Sequence, residues 1–137
     1  MRFMVIVKST PEGETSAMLS EKTLAKMMSY NEEMAKAGVL LAAEKLQPSS
    51  KGARVKFSGE KRIVTDGPFP EAKELIAGFS MWQVKSKEEA IEWLKRAPFE
   101  DTEVEIRQVF EAEDFGAELT PELREQEARL RAQIEAK

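Results

Sequence analysis

The chain has 137 residues, 42% of them apolar and 34% charged, with a formal net charge of -4 and neither histidine nor cysteine. That fits one domain with enough apolar residues for a core, and its charge gives nucleic acid and anionic membranes no reason to bind. Without His or Cys it lacks the usual general base, the best nucleophile, the common transition-metal ligands and any disulfide.

Phe3 to Val7 is an apolar run of β-formers and reads as a buried strand, followed by a mobile loop over Ser9-Thr10-Pro11-Glu12-Gly13. Ser20 is placed to cap a helix with Leu24, Met27, Met28, Met34 and Ala35 on its core stripe and Leu19 packing on Leu24 as a staple. Gly38 ends that helix, and Val39 to Ala43 forms a second strand leading into the polar Glu44-Lys45-Leu46-Gln47-Pro48. Arg54 to Phe57 and Arg62 to Thr65 flank a glycine-containing loop, the signature of a β-hairpin. Ala77 to Val84 reads as a strand with apolar residues on both faces, and Ser86 and Glu89 form a capping box for a helix through Ala90, Ile91 and Leu94 that stops by Pro98. Glu103 to Phe110 alternates strictly, as a half-buried antiparallel strand does. After a loose acidic segment, Thr120 caps and Pro121 starts a last helix whose surface is laced by Glu125 with Arg129 and Glu127 with Arg131. No apolar run approaches the ~20 residues that span a bilayer, and Met1 to Lys8 is too short for a signal-peptide core, so a cytoplasmic location is expected.

Strand, helix, strand, hairpin, strand, helix, strand is an α+β order: ferredoxin-like βαββαβ with an inserted β-hairpin and a C-terminal helix. The domain is expected over 1–112, with an acidic linker and amphipathic helix over 113–137. Helices cover one face of such a sheet, so apolar residues on the other face call for a second copy, and a homodimer is expected.

The most informative stretch is Val64-Thr65-Asp66-Gly67-Pro68-Phe69, where a strand must turn sharply and present a carboxylate. Together with Met1-Arg2-Phe3-Met4-Val5-Ile6-Val7, Ala37-Gly38-Val39-Leu40, Glu44-Lys45-Leu46-Gln47-Pro48, Ala72-Lys73-Glu74 and Gly78, it resembles the YCII-related, or DGPF-domain, family from Met1 to Phe110. The resemblance implies a dimeric α+β barrel, two ferredoxin-like sheets facing each other around a cleft. Some relatives in that family look like enzymes with a His and an Asp in the cleft, and one branch is implicated in dehalogenation. Here the Asp is present as Asp66 and the His is not, so that chemistry does not carry over. Members of the DGPF branch are often encoded beside alternative sigma factors, which implies a regulatory context.

Two readings stand open for Asp66: a turn carboxylate that accepts backbone N–H groups, or a cleft residue acting as general base or as ligand for a cationic or hydroxyl group. A buried Asp66 near Glu44 would have its proton affinity raised by desolvation and like charge. Glu44 and Gln47 lie where loops carry binding functions, against the alternative of solvated loop residues. Lys73 and Glu74 follow the turn, and Lys73 either neutralises Asp66 or orients an anionic substrate, against the alternative of a surface ion-pair partner. Tyr30, the only tyrosine, is placed on the helix face opposite Leu24 and Met27, as a donor into the cleft or a half-buried packing residue. Phe69 and Trp82 are either an aromatic wall for a flat ligand or packing residues. Glu44, Asp66 and Glu74 offer oxygen ligands, but no loop has the spacing of a dedicated Mg²⁺ or Ca²⁺ site, so neither metal nor cofactor is expected.

Three functions fit these residues. The first is a dimer that binds a small molecule around Asp66. The second is a histidine-free lyase, isomerase or hydrolase with a carboxylate base. The third is an interaction module whose last helix docks on a protein such as a sigma factor.

Overall fold

The computed structural model describes residues 1–15 and 20–136, so the expected Leu19 staple lies outside the described residues. Among the described residues, six strands form two sheets. Strands β1 (Arg2–Ser9), β2 (Leu40–Lys45), β5 (Leu75–Gln83) and β6 (Val104–Gln108) make a four-stranded sheet in the order β2-β5-β1-β6, antiparallel throughout. Strands β3 (Ala53–Ser58) and β4 (Lys61–Asp66) form a separate hairpin. With helices α2 (Glu21–Lys36) between β1 and β2 and α3 (Lys87–Lys95) between β5 and β6, this is the ferredoxin-like arrangement with the hairpin inserted.

Alternation divides the sheet's residues between two faces. Phe3 and Val5 on β1, paired with Trp82 and Ser80 on β5, look toward the helices, joined there by Val104 and Ile106. The core is Phe3, Val5, Tyr30, Met34, Val39, Trp82, Val84 and Ala90. Met4 and Ile6, paired with Met81 and Phe79 on one side and Arg107 and Glu105 on the other, look the opposite way.

Helix α2 begins as expected, the Ser20 hydroxyl accepting from Thr23 N at 3.2 Å, and ends before Gly38 at φ +76°. Its buried stripe differs from the expected one. Met34 and Tyr30 are buried, while Leu24 and Met28 are 43% and 63% exposed. Leu24, Met28 and Ala35 each sit one residue after Thr23, Met27 and Met34, a rotation of about 100° that an apolar count alone does not resolve. Tyr30 therefore faces the core, and its hydroxyl donates to the Trp93 carbonyl oxygen, tying α2 to α3. Burial pushes its phenol up to about 12, against a smaller opposing effect of Arg96.

Ser9 to Gly13 is not a loop. β1 runs to Ser9, and α1 (Pro11–Thr15) follows at once, Thr10 Oγ1 accepting from Gly13 N at 3.0 Å. In α3 the Ser86 hydroxyl accepts from Glu89 N at 3.1 Å, whereas the Glu89 carboxylate accepts from Lys85 N rather than from Ser86. The segment read as loose forms 3₁₀ turns over Ala112–Glu118, followed by α4 (Pro121–Glu135), capped by Thr120 and carrying both expected ion pairs. Its apolar stripe stays open, with Leu123, Leu130 and Ile134 at 46%, 54% and 61% exposure. No helix among the described residues is long and apolar enough to cross a membrane.

Arg2 fastens the start of this tail, donating from Nε and Nη2 to the two Glu111 carboxylate oxygens at 2.9 and 3.1 Å. Those hydrogen bonds hold the Glu111 carboxyl below its ordinary range. A depressed native value means stability that is present above the ordinary carboxylate pKa and lost as pH falls through the native one. Because both side chains are partly solvated, the pair is worth less than ~1 kcal/mol. Thermal melts are expected to show Glu111→Gln slightly less stable than the parent near neutral pH and equal to it near pH ~3. A difference that stays constant across that range would contradict the assignment.

Candidate functional site

Asp66 is the last residue of β4, its backbone paired with Ala53 at the open end of the hairpin. The next residue turns the chain back against a neighbouring backbone. Gly67 N donates to Gly52 O at 2.9 Å, and a Cβ on Gly67 would lie 1.7 Å from the Ser49 carbonyl oxygen and 2.6 Å from its carbon. Only glycine fits there. The Gly67–Pro68 peptide is cis, and Phe69 then drops into the protein, 8% exposed. Above its ring lies the Arg54 guanidinium at 3.8 Å, itself paired with Glu71 at 2.7 Å.

The Ser49 turn against which Gly67 packs is clamped from α1. Glu14 accepts from Ser49 N at 2.8 Å and from Ser49 Oγ at 2.6 Å, and Ser49 Oγ in turn accepts from Phe69 N at 3.4 Å. Around this clamp is a hollow of about 260 Å³ walled by Pro11, Pro48, Pro68, Phe69 and Pro70 with Glu14. Glu14, Ser49 and Arg54 thus build the turn, and none was singled out from the sequence. Glu14 had a readable signal, because Thr10 before Pro11 is a helix-start pattern. Ser49 and Arg54 had none, since their roles depend on contacts remote in sequence.

The Asp66 carboxylate takes no part in that network. It is exposed, and among the described residues it has neither a hydrogen-bond nor an ion-pair partner. Gly67 and Phe69 hold the turn, and among the described residues no backbone N–H donates to the Asp66 carboxylate. Nor is it buried beside Glu44 within one chain.

The remaining candidates separate. Phe69 plugs the turn and Trp82, 1% exposed, packs between sheet and helices, so within one chain neither is an aromatic wall. Tyr30 is committed to Trp93. Gln47 and Lys73 are exposed, and Lys73 makes no ion pair with Asp66 among the described residues. Glu74 joins Glu103 and Glu105 around Lys8 at 3.4, 3.0 and 3.1 Å, and Glu103 first, then Glu105, raise the affinity of that amine for its proton. Glu44 pairs with Phe79 and belongs to the face away from the helices. On that face half-buried Met4, Ile6, Phe79 and Met81 are bordered by Glu44, Glu105 and Arg107, the last 73% exposed. No group of His, Cys, Asp and Glu among the described residues is arranged to hold a metal ion.

A family model described as "YCII-related domain" matches residues 1–113. The chain is also similar to an uncharacterized protein of Rhizobium meliloti (strain 1021), 29% identical over 75 residues that cover 55% of this chain and 60% of that protein. The match thus spans less than two thirds of that relative's length.

Proposed function

The chain belongs to the YCII-related family, and from that premise we propose that it is a homodimer holding a small molecule between two sheets, with Asp66 as the carboxylate that receives it. The observation that carries this reading is the pairing of an apolar, charge-bordered sheet face turned away from the core with a carboxylate at the end of β4 that has no partner among the described residues. Two such faces brought together bury Met4, Ile6, Phe79 and Met81 and leave Glu44, Glu105 and Arg107 around the hollow. A carboxylate without a partner among the described residues favours a cationic or hydroxyl-bearing ligand, because such a ligand supplies hydrogen bonds to it. Acid–base chemistry on that ligand would have to run through carboxylates, since the chain has no histidine.

Thermal shift with spermidine, choline and glucose as probes tests the role of Asp66. At least one probe is expected to raise the parent's Tm by ~2 °C or more at millimolar concentration, and Asp66→Asn to lose that response. Equal responses in parent and variant, or none in the parent, would contradict it. A second reading, docking of a protein partner on α4, draws on the open stripe of Leu123, Leu130 and Ile134.

A further inference from the structure

The hairpin β3–β4 is an anomaly in energetic terms. An isolated two-stranded hairpin is marginal at best in water, yet every residue from 53 to 66 is exposed, including Val55 (49%), Phe57 (71%) and Val64 (64%). The register explains what those side chains share. Ala53 pairs with Asp66, Val55 with Val64 and Phe57 with Arg62, so all six lie on one face. Arg62 reaches over the Phe57 ring at 4.6 Å, which leaves a continuous apolar strip running from the tip to Asp66. The opposite face carries Arg54, Lys56 and Lys61 together with Ser58, Thr65 and Ile63, the last 47% exposed.

The arm has a fixed root. Gly67 against Ser49, Phe69 in its socket and Arg54 above it anchor both strands where they leave the body. Its charge also differs in sign from the rest. Residues 53–66 hold four cations and two anions in a chain of net charge -4, so the rest of the molecule carries a net -6. The arm and the body are thus opposite in net charge, and Arg62, the one cation on the strip's own face, is placed to meet the Glu44 and Glu105 that border the half-buried apolar face of a second copy, while Arg54, Lys56 and Lys61 lie on the arm's far side.

We propose that β3–β4 is an exchanged arm whose Val55, Phe57 and Val64 strip lies on the outward sheet face of a second copy and carries Asp66 to the hollow lined by that copy's Glu44, Glu105 and Arg107. This rests on the dimer proposed above and goes beyond it: each site is incomplete within one subunit, and the carboxylate that receives the ligand comes from the other.

Phe57→Cys, the only thiol in the chain, labelled with a benzophenone maleimide and irradiated, reads the arm's neighbour directly. The expected product has twice the chain mass, its crosslinked peptide drawn from β1, β2, β5 or β6. A parent that sediments as a dimer while the label crosslinks only within its own chain, or not at all, overturns the exchanged arm and leaves the dimer standing. A parent that sediments as a monomer overturns both. Because these side chains are exposed in the single chain, the double variant Phe57→Asp, Val64→Asp is expected to keep the parent's circular dichroism while its dimer dissociation constant rises on the order of 100-fold. An unchanged dissociation constant also overturns the arm.

Discussion

Gly67→Ala is expected to lower the thermal midpoint by roughly 8–15 °C, corresponding to a loss of about 2–4 kcal/mol, while Asp66→Ala shifts it by less than ~2 °C. The contrast follows from where the two residues sit in the same turn. An alanine Cβ at 67 would stand 1.7 Å from the Ser49 carbonyl oxygen, a backbone atom that cannot swing aside as a long side chain can. Relief requires the Ser49 turn to move, and that turn is bound at two atoms by Glu14 and at a third contact by Phe69 N. Moving it unseats Phe69 and loosens the root of the hairpin. Among the described residues the Asp66 carboxylate takes part in none of these contacts, so its loss is expected to leave the turn intact. Paired melts of the two variants check the assignment, and equal destabilisation by both would show that the carboxylate also holds the turn.

Trp82→Ala is expected to cost about 3–5 kcal/mol. Trp82 has the largest fully buried side chain and lies among Phe3, Met34 and Val84, where truncation leaves a cavity that the paired strands on either side cannot collapse to fill. Trp82→Phe is expected to cost distinctly less. It keeps an aromatic ring in place and removes Nε1, a buried donor with no partner among the described residues. Denaturant unfolding of both variants measures this ordering. A phenylalanine variant as unstable as the alanine one would mean that the indole N–H is bonded in solution.

How much of this was legible in the sequence depends on how local each determinant is. The strand order and the caps at Ser20, Ser86 and Thr120 rest on spacings of a few residues, and alternation along β6 puts Val104 and Ile106 on one face, the one that meets the helices. The buried face of α2 was misassigned because two apolar stripes compete on it, and the one ending in Met34 is selected by packing rather than by composition. Tyr30, placed by the sequence on the face opposite Leu24 and Met27, lies on the buried stripe for the same reason, in keeping with its packing alternative. At the turn, the sequence marked Asp66-Gly67-Pro68-Phe69 as special, but it could not divide the labour within the motif. Gly67 and Phe69 are structural only because Ser49, Glu14 and Arg54 approach from other elements. Asp66 stands out once those contacts are known, as the polar residue of the motif that the fold does not use.

The apolar residues divide along the same lines. Those turned toward the helices are buried within one chain, whereas Met4, Ile6, Phe79 and Met81 on the sheet, Phe57 and Val64 on the hairpin and Leu130 on the last helix remain at least partly open to solvent. Such a distribution suits a subunit better than a monomer. Sedimentation equilibrium at micromolar concentration tests this most directly. The expected result is a single species of twice the chain's 15.5 kDa, and a mass of 15.5 kDa that does not rise with concentration would contradict the shared hollow and every role assigned to Asp66 within it.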